Sequence, residues 1–277
     1  MSATVSAASF SARAVALAAL IEPDPSRKVR LALALRSDLQ AGRASIDPAA
    51  DVQPAAGIDL PGRPEKPELI PAQQMPRRNP RDPKGHAALL HSIAHIEFNA
   101  INLALDAVWR FQHLPDDFYR DWIRVAAEEA EHFTLLREHL HSIGADYGDF
   151  PAHNGLWDMA EKTRADLLAR MALVPRTLEA RGLDVNPSIR AKLASAGDVR
   201  GAEILDRILA DEIGHVAVGN RWYRWACARA ERPPITTYDD LVATFGAPRI
   251  KPPFNRDARL KAGFSAEEMD WLERESH

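Results

Sequence analysis

Hydrophobic positions recur at helical spacing through most of the chain. Four stretches carry this pattern. Leu90, Ala94, Ile101, Ala104 and Val108 share one stripe, and Phe118, Trp122, Val125 and Leu136 share a second. Leu168, Ala172 and Pro175 mark a third, and Leu205, Ile208, Gly219 and Trp222 a fourth. The spacing predicts long helices over 82–113, 115–143, 156–181 and 199–231. Asp82-Pro83 is a cap followed by proline at the first helical position. Gly144 and Gly182 are natural stops. Pro175 predicts a kink one turn before residue 179. Shorter helices are expected over 6–21, 24–41, 187–197, 237–245 and 265–275. The resulting picture is an all-α four-helix bundle with a long crossover at 145–156, N-terminal helices and a C-terminal extension.

Nine of the chain's 20 prolines fall between Pro48 and Pro83. Proline removes a backbone donor and fixes φ, so this stretch cannot be regular helix or central strand. With Ile58, Leu60, Leu69, Ile70 and Met75 as apolar anchors, it reads as a strap over the bundle. Three regions follow: 1–82 with the N-terminal helices and strap, 83–232 with the bundle, and 233–277 as the extension.

The four stripes are interrupted by ionisable residues. Glu97 falls on the first, Glu129 and His132 on the second, Glu179 on the third, Glu212 and His215 on the fourth. Residues three apart share a helix face, so each Glu-x-x-His pair points one way. Glu97 lies 32 positions before Glu129, and Glu179 lies 33 before Glu212. The chain thus has two similar halves, each with a Glu on one helix and Glu-x-x-His on the next. Four ionised carboxylates in one core would repel and be driven to protonate. Two divalent cations would neutralise them. Four carboxylates and two imidazoles suit iron, with manganese as the other choice, better than zinc. Glu129 and Glu212 are the expected bridges. Glu128 and Asp211 are either solvated charges or acceptors for the ring N–H of the His ligands.

Other residues carry less. His95 and Glu97 differ by about 200° around a helix and cannot face one metal, so His91 and His95 are expected to be structural. His139, His141 and His153 have no partner pattern and are assigned to the surface or the core edge. Arg77, Arg78, Arg81 and Lys84 form a solvated charge run. Trp222 is expected to pack in the core.

The chain has 277 residues, 46% hydrophobic and 27% charged, the composition of a globular protein. A net charge of −4 gives no global attraction to nucleic acid or anionic lipid. The apolar run 10–21 is too short for a membrane span. Cys227 is the single cysteine, which excludes a disulfide within the chain and a four-thiolate iron site and fits a cytoplasmic location.

The six candidate ligands resemble those of the ferritin-like superfamily, which includes ferritins, rubrerythrins, acyl desaturases and di-iron hydroxylases. More narrowly, the runs 91–97, 171–185 and 211–215 resemble one bacterial ferritin-like family of unknown function, similar to the di-iron tRNA hydroxylases that act on an isopentenyl-adenosine. This resemblance extends from about Arg27 to Phe264. One departure stands out: many oxygenases place Arg just before the motif His, where this chain has Glu131 and Gly214.

The resemblance implies a di-iron oxidoreductase of the oxygen-dependent hydroxylase or oxygenase type. Its partners would be molecular oxygen, an organic substrate (a modified tRNA or a small molecule) and a separate reductase as external electron donor, with no membrane and oligomerisation left open. The alternatives are iron oxidation or peroxide removal, and a metal-stabilised interaction protein. An oxygenase further predicts an apolar pocket beside the metals, walled by the strap or by the loop 248–259, with Phe254 as a plug.

Overall fold

A computed structural model describes residues 9–76, 79 and 81–275. Arg77 and Arg78 of the basic run, and the expected helix start at 6–8, lie outside these residues. The regular structure is almost entirely helical. Strands β1 (Phe10–Ser11) and β2 (Ala44–Ser45) pair in parallel over two residues each. They bracket α1 (Ala12–Ile21) and α2 (Pro25–Gln40), whose caps Ser11 and Asp24 accept from the amides of Ala14 and Arg27.

The centre of the molecule is two helical hairpins. The first joins α3 (Pro83–Arg110) to α4 (Asp116–Ser142). Asp82 caps α3 by accepting from Gly85 N, and Asp116 and Asp117 place negative charge at the start of α4. The crossover then carries a helix of its own, α5 (Gly155–Lys162), before α6 (Leu167–Leu173). The single helix expected over 156–181 is therefore broken. Asp166 accepts from Ala169 N and starts a new helix there.

After α6 the chain enters a π-helical segment, Val174–Glu179, and leaves it as α7 (Ala180–Ser195). Pro175 supplies no amide to an α-helical ladder, and Thr177 Oγ1 donates to Ala172 O at 2.7 Å, five residues back. The kink expected at Pro175 is thus a widened turn. Gly182 does not stop the helix, and 187–197 is no separate helix: α7 runs through Pro187. The stop falls at Gly197, whose φ of 87° is the left-handed value glycine tolerates. Then α8 (Val199–Arg229) returns along α7 and α4. It approaches the π segment so closely that a Cβ on Gly219 would lie 2.5 Å from Pro175 Cβ.

The extension adds α9 (Pro234–Phe245), α10 (Arg256–Lys261) and α11 (Ala266–Glu275). The second of these lies where a loop was expected. One hydrophobic core runs from Ala12 in α1 to Leu272 in α11, so both ends of the chain share the core of the hairpins. No helix among the described residues is long and apolar enough to cross a membrane.

The strap is held in part as expected, since Leu60 packs against the core. Ile58 and Leu69 are exposed, at 40% and 37%, while Pro61 and Pro67 are buried. Backbone groups provide its anchors. Gly62 N donates to Leu20 O, and the strap and crossover exchange Ile70 N to Ala152 O and Ala152 N to Glu68 O. Fully buried Lys28 donates from Nζ to Leu20 O, Gly62 O and Asn102 Oδ1, tying α1, the strap and α3 together. Burial pushes its pKa down to about 7.

Candidate metal centre

Helix α4 buries Glu129 and His132, α8 buries Glu212 and His215, and α3 adds Glu97. Their placement follows from the stripes: each lies on the face its helix turns toward the others. His132 Nδ1 is 3.2 Å from Glu97 Oε2 and 3.3 Å from Glu129 Oε2. His215 Nδ1 is 2.8 Å from Glu129 Oε1 and 3.3 Å from Glu212 Oε2. Glu129 therefore offers one oxygen to each imidazole, whose ring centroids are 5.7 Å apart. Two groups of three, Glu97–Glu129–His132 and Glu129–Glu212–His215, bring their ligand atoms within 4.8 Å of one another, and each can hold a metal ion. Of the two expected bridges, Glu129 is common to both groups and Glu212 belongs to the second alone.

Glu179 is not drawn into either group. It ends the π segment, with Oε2 sealed from solvent and without a hydrogen-bond partner among the described residues. It still senses the cluster, because the charges of Glu212, Glu129 and Glu97 all act on it.

The outer nitrogens of the two imidazoles are held crosswise. His132 Nε2 donates to Asp211 Oδ2 of the other motif at 3.1 Å, and His215 Nε2 donates to Glu128 Oε2 at 2.9 Å. Glu128 and Asp211 are thus acceptors for the ring N–H, not merely solvated charges. This fixes the rings with Nε2–H outward and Nδ1 facing the shared carboxylates.

The electrostatics without metal are strained in a consistent direction. Burial, with the Glu129 charge adding to it, raises Glu97 to about 8. Burial and then the neighbouring carboxylate Glu212 raise Glu179 well above the ordinary range. Glu212 is raised as well, chiefly by burial. Burial opposes ionisation of Glu129 too, but the His215 charge and hydrogen bonds from both imidazoles outweigh it and lower its pKa. Burial alone would lower His132, yet hydrogen bonds to Glu129 and Glu97 lift it to about 11. His215 is raised in the same way by Glu129 and Glu128. Burial thus pushes Glu97, Glu179 and Glu212 toward their protonated forms, while Glu129 and the imidazoles favour their charged forms. The donors fit a divalent cation: hard carboxylate oxygens and imidazole nitrogens, with a buried Glu179 oxygen that has no hydrogen-bond partner among the described residues.

Residues 21–270 match the family model described as "Protein of unknown function (DUF455)". The chain belongs to this family. It is also 47% identical over 216 residues to an uncharacterized protein of Haemophilus influenzae (strain ATCC 51907 / DSM 11121 / KW20 / Rd), covering 76% of this chain and 75% of that one. No solved structure matches.

In this DUF455 chain the outer acids are braced by arginines that the helical stripes do not reveal. Arg207 donates to Asp211, Arg124 lies 3.6 Å from Glu128, and Arg36 of α2 reaches Glu128 at the same distance. A signal was present in the sequence. Arg124 stands four residues before Glu128 and Arg207 four before Asp211, so the repeat is Arg-x-x-x-acid-Glu-x-x-His.

Further out, the DUF455 cluster is bordered by two buried ion pairs. Arg176 of the π segment donates to Glu268 at 2.7 Å and to Asn220. Arg259 donates to Asp184 at 2.7 Å, both side chains fully buried. Phe254 lies 5.3 Å beneath the Arg259 guanidinium and so belongs to the brace of α7. His91 and His95 face the crossover. His91 Nε2 accepts from Gly148 N at 2.9 Å, and His95 pairs with Tyr147 Oη at 2.9 Å and His153 O at 3.1 Å. One pocket is lined by Tyr238, Val242 and Trp271, another by Arg81, His86 and Asp198, and neither touches the cluster.

Proposed function

We propose that this chain is a di-metal carboxylate oxidoreductase on a ferritin-like bundle, holding two iron ions (or iron with manganese) and acting with oxygen on an organic substrate. The observation that carries the reading is Glu129, which presents one oxygen to each of two inward-facing imidazole nitrogens whose outer nitrogens are held by crossed carboxylates. Glu97, Glu129 and His132 would hold one metal, and Glu179, Glu212 and His215 the other, with Glu129 shared. The metals would supply the redox chemistry. The chain keeps the imidazoles in one tautomer, excludes water from Glu97 and Glu129, and releases the protons those groups carry when a cation enters. Cys227 is buried in the core, so electrons would arrive from a separate reductase, in keeping with a cytoplasmic location.

A second reading, iron oxidation or peroxide removal without an organic substrate, draws support from the burial of the cluster away from both pockets. The two separate in one experiment. Iron-loaded protein is given oxygen with ferrous iron, then peroxide, then a reductase system with a panel of small molecules and isopentenyl-adenosine tRNA. The oxygenase reading expects turnover only with an organic substrate. Turnover of ferrous iron or peroxide alone would replace it with the second reading, and failure to bind two metals per chain would remove both.

A further inference from the structure

The cluster at the far end of the hairpins was not anticipated from sequence, where His139 had no partner. His86 from the first turns of α3, His139 from the last turns of α4, and Asp198, the cap of α8, converge there. His86 Nε2 lies 2.9 Å from Asp198 Oδ2, and His139 Nε2 lies 2.9 and 3.0 Å from Asp198 Oδ1 and Oδ2. Along the helices this point is roughly 10–20 Å from Glu129 and its neighbours, at 1.5 Å per residue. It is a separate place in the molecule.

We propose that His86, His139 and Asp198 form a second, mononuclear metal site of the zinc class, with its fourth position open to solvent. Three observations support it. The first is the donor set: two imidazoles and one carboxylate with ligand atoms within 4.8 Å of one another, as in three-ligand zinc sites that keep an open position. Tetrahedral bonds near 2.0–2.1 Å would put ligand atoms about 3.3 Å apart, a few tenths of an ångström from the distances seen.

The second observation is how the rest of each group is occupied. Ser142 Oγ donates to His139 O at 2.6 Å, so its lone pairs face His139 Nδ1 at 3.3 Å and Nδ1 carries the proton toward it. A metal-binding His donates its other N–H to an oxygen in this way, leaving Nε2 free as a ligand. Asp198 Oδ1 accepts from the Gly201 amide at 2.7 Å, while Oδ2 lies within 3.0 Å of both imidazole Nε2 atoms and is the oxygen placed for a cation between them.

The third observation is access. Arg81, Pro83, His86, Ile143, Ala196, Gly197 and Asp198 line an open pocket over the cluster. His139, 8% exposed, forms the inner side of the site, and His86 and Asp198 border the opening. Water would fill the fourth position, and the Arg81 charge at the rim favours an anionic ligand in its place.

The test uses full-length protein stripped with a chelator and titrated with zinc alone. Bound zinc is counted by elemental analysis and located by diffraction at the zinc edge. A peak between His86, His139 and Asp198 is expected. His86→Ala should remove that peak and one zinc per chain, leaving peaks at Glu129 untouched. Asp198→Asn, which keeps an oxygen for the helix cap, should do the same without disturbing the fold. Absence of the peak in the parent, or both variants retaining the parent's zinc count, would show that the three residues are only a hydrogen-bonded tie between helix ends.

Discussion

The two halves of the centre use the same set, two glutamates and a histidine, on differently built scaffolds. In the first half, Glu97 sits in the middle of α3, an uninterrupted 28-residue helix, and its oxygen already meets His132. In the second, Glu179 sits at the end of a π-helical turn behind Pro175, and its Oε2 has no hydrogen-bond partner among the described residues. The flanking segments divide in the same manner. The N-terminal segment braces the first half, through Lys28 to Asn102 and Arg13 to Trp109 O at 2.6 Å. The C-terminal extension braces the second, through Glu268 to Arg176 and Arg259 to Asp184. A regular helix places a carboxylate by its own hydrogen bonds. A widened turn needs outside clamps, and here they are buried ion pairs. Such pairs are costly to break because each partner is left as an uncompensated charge.

The comparison breaks most completely at the residue both halves share. Glu129→Ala should abolish binding at both positions, whereas Glu97→Ala and Glu179→Ala should each leave one metal. Metal counts by elemental analysis decide this, and equal retention in all three variants would sink the shared role of Glu129.

Next in size is the clamp on the widened turn. Arg176→Ala removes the fully buried partner of Glu268, which keeps Arg224 and the Ser265 amide, and should cost about 1.5–3 kcal/mol of unfolding free energy. Arg221→Ala breaks pairs in which Arg221 and Asp117 are more than half exposed and should cost at most ~1 kcal/mol. Denaturant melts of the two variants give the contrast directly.

In metal-free protein the cluster's contribution to stability should fall as pH rises. Glu97 is raised from its ordinary 4.5 to about 8, so its contribution is full below 4.5 and gone above 8. His132 is raised from 6.5 to about 11, so its contribution is full below 6.5 and lost toward 11. Both signs agree, because the folded state binds more protons than the unfolded chain over these ranges. Lys28, lowered from 10.5 to about 7, and His95, lowered from 6.5 to about 4, act the other way, so the cluster's share, of the order of a few kcal/mol, is read as the difference between metal-loaded and metal-free melts from pH 5 to 9. A difference that fails to widen with pH would contradict the cluster's electrostatics.

Two glycines of α8 test the packing of the second half. Gly219→Ala brings a methyl group to 2.5 Å from Pro175 Cβ and 2.8 Å from its Cγ, a rigid ring, and should cost about 1–3 kcal/mol. Gly214→Ala meets only Arg124 Nη1 at 3.9 Å and should gain about 0.4–1 kcal/mol from reduced freedom of the unfolded chain.

The last contrast concerns the crossed acids. Asp211→Asn and Glu128→Gln should each weaken metal binding by roughly 10–100-fold while leaving both metals bound at saturation. Competition with a chelator measures it. Equal losses in the two variants would mean that the halves differ in their helices but not in how their imidazoles are held.

The elements visible in sequence are those set by local rules. Apolar spacing of about 3.6, Asp82 before Pro83, and proline density over 48–83 needed no partner to be read, and the structure follows them. The Glu and His positions interrupting four stripes were legible for the same reason: a charge on an apolar face announces itself in one dimension. The break between α5 and α6, the passage of α7 through Gly182 and Pro187, and the helix at Arg256–Lys261 were not. The course of α7 and the helix at Arg256–Lys261 go with contacts to distant chain, Arg259 with Asp184 and Arg176 with Glu268. Three further features exist only in three dimensions: Glu129 meeting both imidazoles, Asp211 and Glu128 holding each other's histidine, and Asp198 joining His86 to His139. Periodicity determines which way a side chain faces on its own helix. Which helix it faces, and at what height, is decided only when the hairpins pack.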